Sequence, residues 1–286
     1  MKKQLLRYLI PLLSLAAIIW HSATHAVKTN NLLYDVNELG RVSVFETRGL
    51  YFFLHLIPLI PILTFSLFDK KIQFPKTWRA LFPALFVVAV VFWIWDAWKT
   101  AIGVWGFNDR YFTIKIGNLP IEEWGFFFTF PWAILFFYHS LHYYVPQNRF
   151  FRAIEYPLSI GLILFFFGIA VFNWGKTYTA TTSIAAGAVL LWQFLFDTET
   201  DFRADFYRVY IVGLAPFLLV NGILTGIATE QPVVVYNPEE YLGIRFFTIP
   251  LDDFIYNFAL LFSVTMFYEW FKAKQALANN KRSEAV

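Results

Sequence analysis

The sequence has no cysteine in 286 residues, which excludes disulfide bridges, iron–sulfur clusters, thiolate zinc sites and cysteine nucleophiles. Histidine is also scarce: five residues are too few for the histidine-rich di-iron centres of membrane oxygenases. Charged residues make up 15% of the chain, whereas globular domains carry about 25%. The net charge of +3 gives no indication of nucleic-acid binding. We therefore expect neither a soluble enzyme nor a metal site.

Hydrophobic residues, in contrast, make up 58% of the chain, and the mean hydropathy is +0.52. A membrane-spanning helix needs about 20 mainly apolar residues. Seven runs reach this length, near 49–68, 79–98, 120–144, 153–172, 178–196, 206–228 and 248–271, and a shorter eighth run lies at 5–20. The sequence predicts an all-α integral membrane protein, a bundle of seven or eight transmembrane helices.

The positive charges predict the orientation of this bundle. If all eight runs span and the N-terminus is cytoplasmic, fifteen of the 23 Lys and Arg residues fall on the inner side. Residues 1–26 also have the pattern of a secretory signal, because Lys2 and Lys3 precede a short apolar stretch and Thr24-His25-Ala26 is typical of a cleavage site. Both readings give the same topology for the rest of the chain, and we expect an uncleaved first helix.

Two short acidic motifs each follow a proline at the start of a hydrophobic run. Their sequences are Pro120-Ile121-Glu122-Glu123 and Pro250-Leu251-Asp252-Asp253. Proline is favoured at the first helical position, so each carboxylate pair is expected in the first turn of its helix. The helix dipole stabilises negative charge there by about 0.3–1 kcal/mol, so one such motif alone would be an ordinary helix start.

The two motifs belong to an internal repeat. Each half has an apolar helix, Asp or Asn, Thr, a polar loop, a basic residue, proline, paired acids and another apolar helix. The matched positions are Asp96 with Asn221, Thr100 with Thr225, and Lys115 with Arg245. Each helix of the first half corresponds to the helix four runs further along the chain, and because four is an even number the halves insert as parallel repeats. Both acid pairs then lie at one depth and can face one cavity, covered by loops 99–118 and 229–247.

Carboxylates at this depth suit proton transfer. A carboxylic acid kept protonated in a dry, apolar site can protonate a weakly basic substrate. The candidate acids and bases are Glu122, Glu123, Asp252 and Asp253. Asp96 is a further candidate because an ionisable residue inside a spanning helix points to function, although a snorkelling residue at a helix end has the same pattern. Its counterpart Asn221 is included with it.

Aromatic residues are the second chemical signal, with 35 Phe, 15 Tyr and 11 Trp. The face of a desolvated ring stabilises a cation by about 0.5–2 kcal/mol, although most of these rings must serve packing and lipid contact. The rings near the acidic motifs that we predict to contact a substrate are Trp95, Trp124, Phe126, Phe127, Phe254 and Tyr256.

These motifs together resemble a known family. The chain is similar to the membrane-integral lycopene cyclases of the heterodimeric type, here with both halves fused in one chain. The resemblance rests on both acidic motifs, on Gly103-Val104-Trp105-Gly106-Phe107-Asn108 and on Asn221-Gly222-Ile223-Leu224-Thr225-Gly226. It covers roughly residues 48–272. The domains would then be an added N-terminal segment and outer loop (1–46), a first repeat (47–148) and a second repeat with a C-terminal tail (149–286).

The resemblance implies an isomerase, an intramolecular lyase of carotenoid biosynthesis that needs no cofactor. It would convert the linear ψ ends of lycopene to β-ionone rings, giving γ-carotene and then β-carotene. An acid protonates the terminal double bond, the chain closes on the cation, and a base removes a ring proton. The motif match assigns this work to the four paired acids. The expected partners are lycopene, other linear carotenoids and the lipids of a bacterial inner membrane, and self-association stays open.

Two other functions fit parts of the sequence. A membrane prenyltransferase would hold Mg²⁺ and diphosphate with acids, and its nearest candidate is Asp197-Thr198-Glu199-Thr200-Asp201, which reads better as a solvated turn. A non-catalytic carotenoid-binding protein or transporter would also be compatible with parallel repeats. The flavin-dependent cyclases carry a G-x-G-x-x-G fingerprint, which this sequence lacks.

Overall fold

The computed structural model describes residues 2–27, 32, 44–146, 148–196 and 200–283. Within these ranges the chain forms eight helices with short strand pairs between them. The helices are α1 (Lys2–Thr24), α2 (Leu50–Phe68), α3 (Trp78–Ala101), α4 (Ile121–Tyr144), α5 (Arg149–Phe172), α6 (Thr177–Phe196), α7 (Thr200–Leu224) and α8 (Leu251–Ser283). The strands are β1 (Trp105–Phe107), β2 (Lys115–Ile116), β3 (Leu119–Pro120), β4 (Val234–Tyr236), β5 (Arg245–Phe246) and β6 (Ile249–Pro250).

The predicted all-α membrane architecture is confirmed. Each of the eight apolar runs forms a helix, and seven helices in the described ranges are long and apolar enough to cross a membrane. The remaining helix, α4, has 24 residues, but it carries two carboxylates and many Tyr, Trp and His side chains, which lower its hydropathy. Large apolar side chains cover the outside of the bundle, such as Leu164 at 68% and Phe172 at 89% exposure. Such a surface suits lipid contact.

Helix α7 is shifted toward the N-terminus relative to its predicted run. The run was placed at 206–228, whereas the helix covers Thr200–Leu224. It ends earlier because Gly226 adopts a positive φ of 116°, a conformation typical of the residue that follows a helix C-terminus. The acidic cluster at 197–201 precedes it, and residues 197–199 lie outside the described part of the chain, as does most of the loop 27–46.

The two repeats meet at a local two-fold axis. Strands β1 and β4 pair antiparallel, with Trp105 opposite Tyr236, Gly106 opposite Val235 and Phe107 opposite Val234. The flanking hydrogen bonds are reciprocal: Asn108 N donates to Val233 O at 2.8 Å, and Asn237 N donates to Val104 O at 2.9 Å. Exchange of the two repeats reproduces both contacts. The axis therefore passes between Gly106 and Val235, and it brings the two polar loops together.

The hairpins β2–β3 and β5–β6 lead directly into the acidic helices. Lys115 pairs with Pro120 and Arg245 with Pro250, so each proline is the last strand residue. Pro120 has φ −55° and ψ 147° and precedes the first helical residue, Ile121. The sequence placed the prolines one position further on, inside the helix. Pairing in the hairpin holds them in the extended conformation, and the carboxylates still fall in the first helical turn.

A buried ion pair joins three helices at the opposite end of the bundle. Arg203 Nε of α7 donates to Glu155 Oε2 of α5 at 2.8 Å, and Arg203 Nη1 donates to Gln193 Oε1 of α6 at 3.0 Å. The Arg203 and Glu155 side chains are 4% and 8% exposed. A charge buried this deeply is costly once its partner is removed.

We therefore expect Arg203→Met to lower the free energy of unfolding by about 3–5 kcal/mol, because Glu155 would be left buried and unpaired. The measurement is the thermal unfolding midpoint of the purified protein in detergent. The double variant Arg203→Met/Glu155→Met should recover most of the loss, and Lys272→Met, which breaks an exposed pair with Glu269, should change little. An unchanged midpoint in Arg203→Met would contradict this role.

Candidate active site

Carboxylates from both repeats converge on one small cavity of about 70 Å³ beneath the β1–β4 pair. Glu123, Asp253, Asp96 and Asn221 all line it, so the structure brings together four of the six residues selected from the sequence. The rest of the lining consists of Tyr51, Trp105, Phe107, Phe126, Tyr178, Phe217, Leu224, Val234, Tyr236, Tyr256, Asn257 and Leu260. The two polar loops, which the sequence predicted to cover the cavity, contribute Trp105 and Tyr236 to its lining.

Each central carboxylate accepts a hydrogen bond from a tyrosine in the first turn of a neighbouring helix. Tyr51 of α2 donates to Glu123 Oε2, and Tyr178 of α6 donates to Asp253 Oδ1 at 2.6 Å. The backbone that positions these tyrosines repeats as well, since Tyr51 N donates to Tyr111 O and Tyr178 N to the equivalent carbonyl of Glu240. The site is therefore built twice from the same helix–loop–helix unit.

The two carboxylates differ in how many donors they have. Asp253 accepts from three side chains, namely Tyr178 as above, Asn221 Nδ2 at 2.8 Å and the Tyr236 hydroxyl at 2.8 Å. Among the residues that the structure describes, Glu123 has Tyr51 as its one donor. Both carboxylates are almost fully buried, at 6% and 7% exposure. Donors stabilise the ionised form of a carboxyl group, so the environment favours a carboxylate at Asp253 more strongly than at Glu123.

Tyr236 remains a donor over a wide pH range. It lies in β4, outside the spanning helices, and its ring stacks on Tyr178 with a centroid distance of 5.9 Å. Burial, followed by the negative charge of Asp253, raises the pKa of the Tyr236 phenol well above its usual value. The hydroxyl therefore stays protonated and continues to donate to Asp253 at pH values where an exposed tyrosine would ionise.

The other acid of each pair is directed away from the cavity. Glu122 Oε1 accepts from Thr113 N at 3.0 Å and from Thr113 Oγ1 at 2.8 Å. Asp252 accepts from Thr179 Oγ1 at 2.5 Å and from Leu242 N at 3.1 Å. Neighbouring helical positions point about 100° apart, so one acid of each pair fastens a loop while the other faces the cavity.

The aromatic candidates also divide between the cavity and other places. Phe126 and Tyr256 line the cavity. The rings of the other four candidates do not: Trp124 packs on Trp93, Phe127 on Phe92, Phe254 on Phe217, and Trp95 lines a separate groove beside α1. Trp105, which belongs to a motif of the family resemblance but was not among the predicted substrate contacts, packs edge to face with Tyr178 at 4.9 Å. Both line the cavity and present aromatic rings where a substrate would react.

Two polar groups in the cavity wall have no hydrogen-bond partner within the described part of the chain. They are Asp96 Oδ2 and the hydroxyl of Tyr256. Asp96 is 4% exposed, so the unpaired oxygen is buried. An unsatisfied buried polar atom costs about 1–3 kcal/mol, so both groups are available to a molecule that enters the cavity.

The internal repeat described from the sequence begins at the helices that flank the acidic loops, so it does not include Tyr51 and Tyr178. Tyr51 and Tyr178 are each the second residue of a helix, α2 and α6, and these helices are also equivalent in the two repeats. Extending the repeat by one helix would have paired them. Tyr236 is the counterpart of Phe107 in the repeat, but a phenylalanine at the matched position gives no indication of a contact with Asp253.

Comparisons with known proteins identify one family. A family profile described as Lycopene cyclase matches two regions, residues 48–141 and 175–271. No curated protein and no solved structure gives a match. The two matched regions contain the two halves of the cavity, and together they make up two thirds of the chain, so this protein belongs to the lycopene cyclase family.

Proposed function

We propose that this protein is a lycopene β-cyclase that closes the linear ψ ends of lycopene into β-ionone rings without net oxidation or reduction. The observation that carries the proposal is the pair Glu123 and Asp253, which come from different repeats, line one buried cavity and differ in their donors. One protonated and one ionised carboxyl group are what an acid-initiated, base-terminated isomerisation needs.

The hydrogen-bond donors around each carboxyl group support an assignment of the two roles. Three hydrogen bonds hold Asp253 as the carboxylate, which makes it the base. Glu123 is buried with one donor, and we assign it as the acid. Asp96 lies beside Glu123 and has an unpaired oxygen. When Asp96 is protonated, it adds no further negative charge to the cavity. Two carboxyl groups in one low-dielectric site resist simultaneous ionisation, which favours a proton on the less stabilised partner.

The reaction then balances with one proton. Glu123 gives a proton to the terminal double bond of the ψ end, which leaves a tertiary carbocation. A second double bond of the same chain attacks this carbon and closes the six-membered ring, and the charge moves onto the ring. Asp253 removes a ring proton to form the ring double bond. The proton must return from Asp253 to Glu123 before the next turnover, and both line the same cavity.

Aromatic rings stabilise the cation between these steps. Tyr256 lies within 6.2 Å of Trp105 and 6.3 Å of Tyr178, measured between ring centroids, so three rings surround one side of the cavity. Each desolvated ring contributes about 0.5–2 kcal/mol toward a cation placed over its face. The spanning helices support a location for this chemistry in a membrane, where an apolar carotenoid dissolves. We expect this to be a bacterial inner membrane.

Expression in cells that accumulate lycopene tests the proposal directly. We expect lycopene to be replaced by β-carotene, with γ-carotene as the intermediate, in pigment extracts separated by chromatography. Unchanged lycopene, with the protein present in the membrane fraction, would reject the cyclase. Lycopene retained by the purified protein without conversion would support a carotenoid-binding protein instead, and magnesium-dependent prenyl transfer would support the prenyltransferase.

The tyrosine donors give a finer prediction about the roles. Tyr51→Phe removes the one described donor of Glu123, so its conjugate base is less stable and the protonation step slows by about tenfold. Tyr178→Phe leaves Asp253 with two donors, so we expect a smaller loss. Initial rates of lycopene consumption by the purified variants measure both effects. Larger loss in Tyr178→Phe than in Tyr51→Phe would argue for the reverse assignment of acid and base.

A further inference from the structure

A long apolar groove runs along α8 on the side of the bundle that α1 covers. Its volume is about 760 Å³, and α1, α3, α6 and α8 all contribute to its lining. On α8 the lining extends from Tyr256 to Ala273. At 1.5 Å per helical residue this corresponds to about 25 Å, close to the thickness of the hydrocarbon core of a bilayer. The groove therefore has the shape for a long, rod-like apolar molecule.

The groove begins at the acid site. Tyr256 lines both the groove and the acid cavity, and it follows Asp253 by less than one helical turn. On the opposite wall, Trp95 lines the groove while the next residue, Asp96, lines the cavity. The acid cavity and the groove are therefore adjacent, and they meet at Tyr256 and at the step from Trp95 to Asp96.

Helix α1 is a fixed wall of this groove. His21 Nε2 is 2.6 Å from Trp174 O, and Lys99 Nζ donates to Ser22 Oγ at 2.8 Å, which attaches the end of α1 nearest the acid site. At the other end, Trp192 Nε1 donates to Arg7 O at 2.9 Å. The matched family regions begin at residue 48, so α1 and the groove wall that it forms lie outside the part of the chain that matches the family.

A second groove between α2, α4 and α7 is much shorter. Its volume is about 280 Å³, and on α4 it extends from Phe126 to Phe137, about 16 Å by the same helical rise. The acid cavity itself, at about 70 Å³, holds no more than the reacting end of a chain. Of these two grooves in the described part of the chain, the one along α8 has the length for the unreactive part of a nearly membrane-spanning substrate.

We propose that the groove between α1 and α8 binds the polyene chain of a linear carotenoid behind its reacting end. The inference rests on the proposed cyclase function and adds a binding site for the unreactive part of the substrate. The lining carries Phe92, Trp95, Trp192, Phe267 and Trp270, whose flat rings pack well against a conjugated chain. Helix α1 thereby becomes part of the substrate-binding site.

The test measures binding separately from turnover. The full-length Glu123→Gln protein, which lacks the proposed acid, is purified in detergent and titrated with lycopene, and quenching of tryptophan fluorescence reports the Kd. In this background Ala188→Phe fills the groove from α6, and we expect a Kd raised about tenfold or more. Leu15→Trp, on the exposed face of α1 that lines the groove, should also weaken binding, and it carries little risk to folding.

Two matched variants provide the controls. Leu12→Trp changes an equally exposed leucine of α1 that does not line the groove, and it should leave the Kd unchanged. Ala133→Phe fills the shorter groove at an alanine buried as deeply as Ala188. Weaker binding in Ala133→Phe with normal binding in Ala188→Phe and Leu15→Trp would overturn the inference, because the polyene would then occupy the shorter groove.

A lipid is the competing occupant. If Ala188→Phe releases a co-purifying phospholipid but keeps the Kd for lycopene, the groove is a lipid site and the inference fails. The proposed function is judged independently. If a protein with an intact acid site binds lycopene but never cyclises it, the cyclase function is refuted. If the protein cyclises lycopene equally well with the groove filled, the proposed role of the groove in binding the polyene is refuted.

Discussion

Glu123→Gln is expected to abolish most of the cyclisation, with a rate loss of about 10²–10⁴-fold, the range that a positioned general acid contributes. Glutamine has nearly the same size and can still accept the hydrogen bond from Tyr51, so packing around the cavity should be preserved. It has no acidic proton to give to the terminal double bond. The measurement is the initial rate of lycopene consumption by purified protein, normalised to the amount of folded enzyme.

The neighbouring acid is the matched control for this variant. Glu122 has the same side chain one position earlier on α4, but its carboxylate fastens the loop at Thr113 and does not line the cavity. We expect Glu122→Gln to keep most of the activity and to lower the thermal midpoint. Equal losses of activity in the two variants would contradict the proposal that the orientation of each acid decides its role. Full activity in Glu123→Gln would reject Glu123 as the acid.

Asp253→Asn is expected to cause a loss of the same order, about 10²–10⁴-fold, by a different route. The amide cannot accept the ring proton, and its NH₂ group would face a site that supplies three donors, from Tyr178, Asn221 and Tyr236. The cavity would therefore lose both its base and the negative charge that offsets the carbocation. Single-turnover experiments with excess enzyme should show slow formation of β-ends even when the substrate is bound.

Asp252→Asn is the corresponding control in the second repeat. Asp252 is buried and accepts from Thr179 and Leu242, so its loss should disturb the loop before α8 more than the chemistry. A lower unfolding temperature with substantial remaining activity is the expected result. If Asp252→Asn were inactive and Asp253→Asn active at equal folded concentration, the base would have to be reassigned.

Local chemistry in the sequence determined much of the architecture. Runs of about 20 apolar residues have the length of a membrane-spanning helix, so the number of such runs predicted the number of helices. The two acidic motifs, separated by an even number of helices, predicted parallel repeats, and the β1–β4 pairing is one of the direct contacts between them. Asp96, Glu123, Asn221 and Asp253 were selected from residue type and spacing and lie around one cavity.

The sequence could not tell which acid of each pair faces the cavity. Glu122 and Glu123 have the same chemistry, and only the direction of each side chain from the helix, fixed by how α4 packs, separates the loop contact from the cavity. The donors of Asp253 come from α6, α7 and β4, positions far apart in the chain. Their convergence depends on tertiary packing, because no local pattern encodes a contact between distant helices. What the sequence determined by itself is thus the membrane fold and the candidate acids, while packing decided which carboxylate of each pair faces the cavity and which donors surround it.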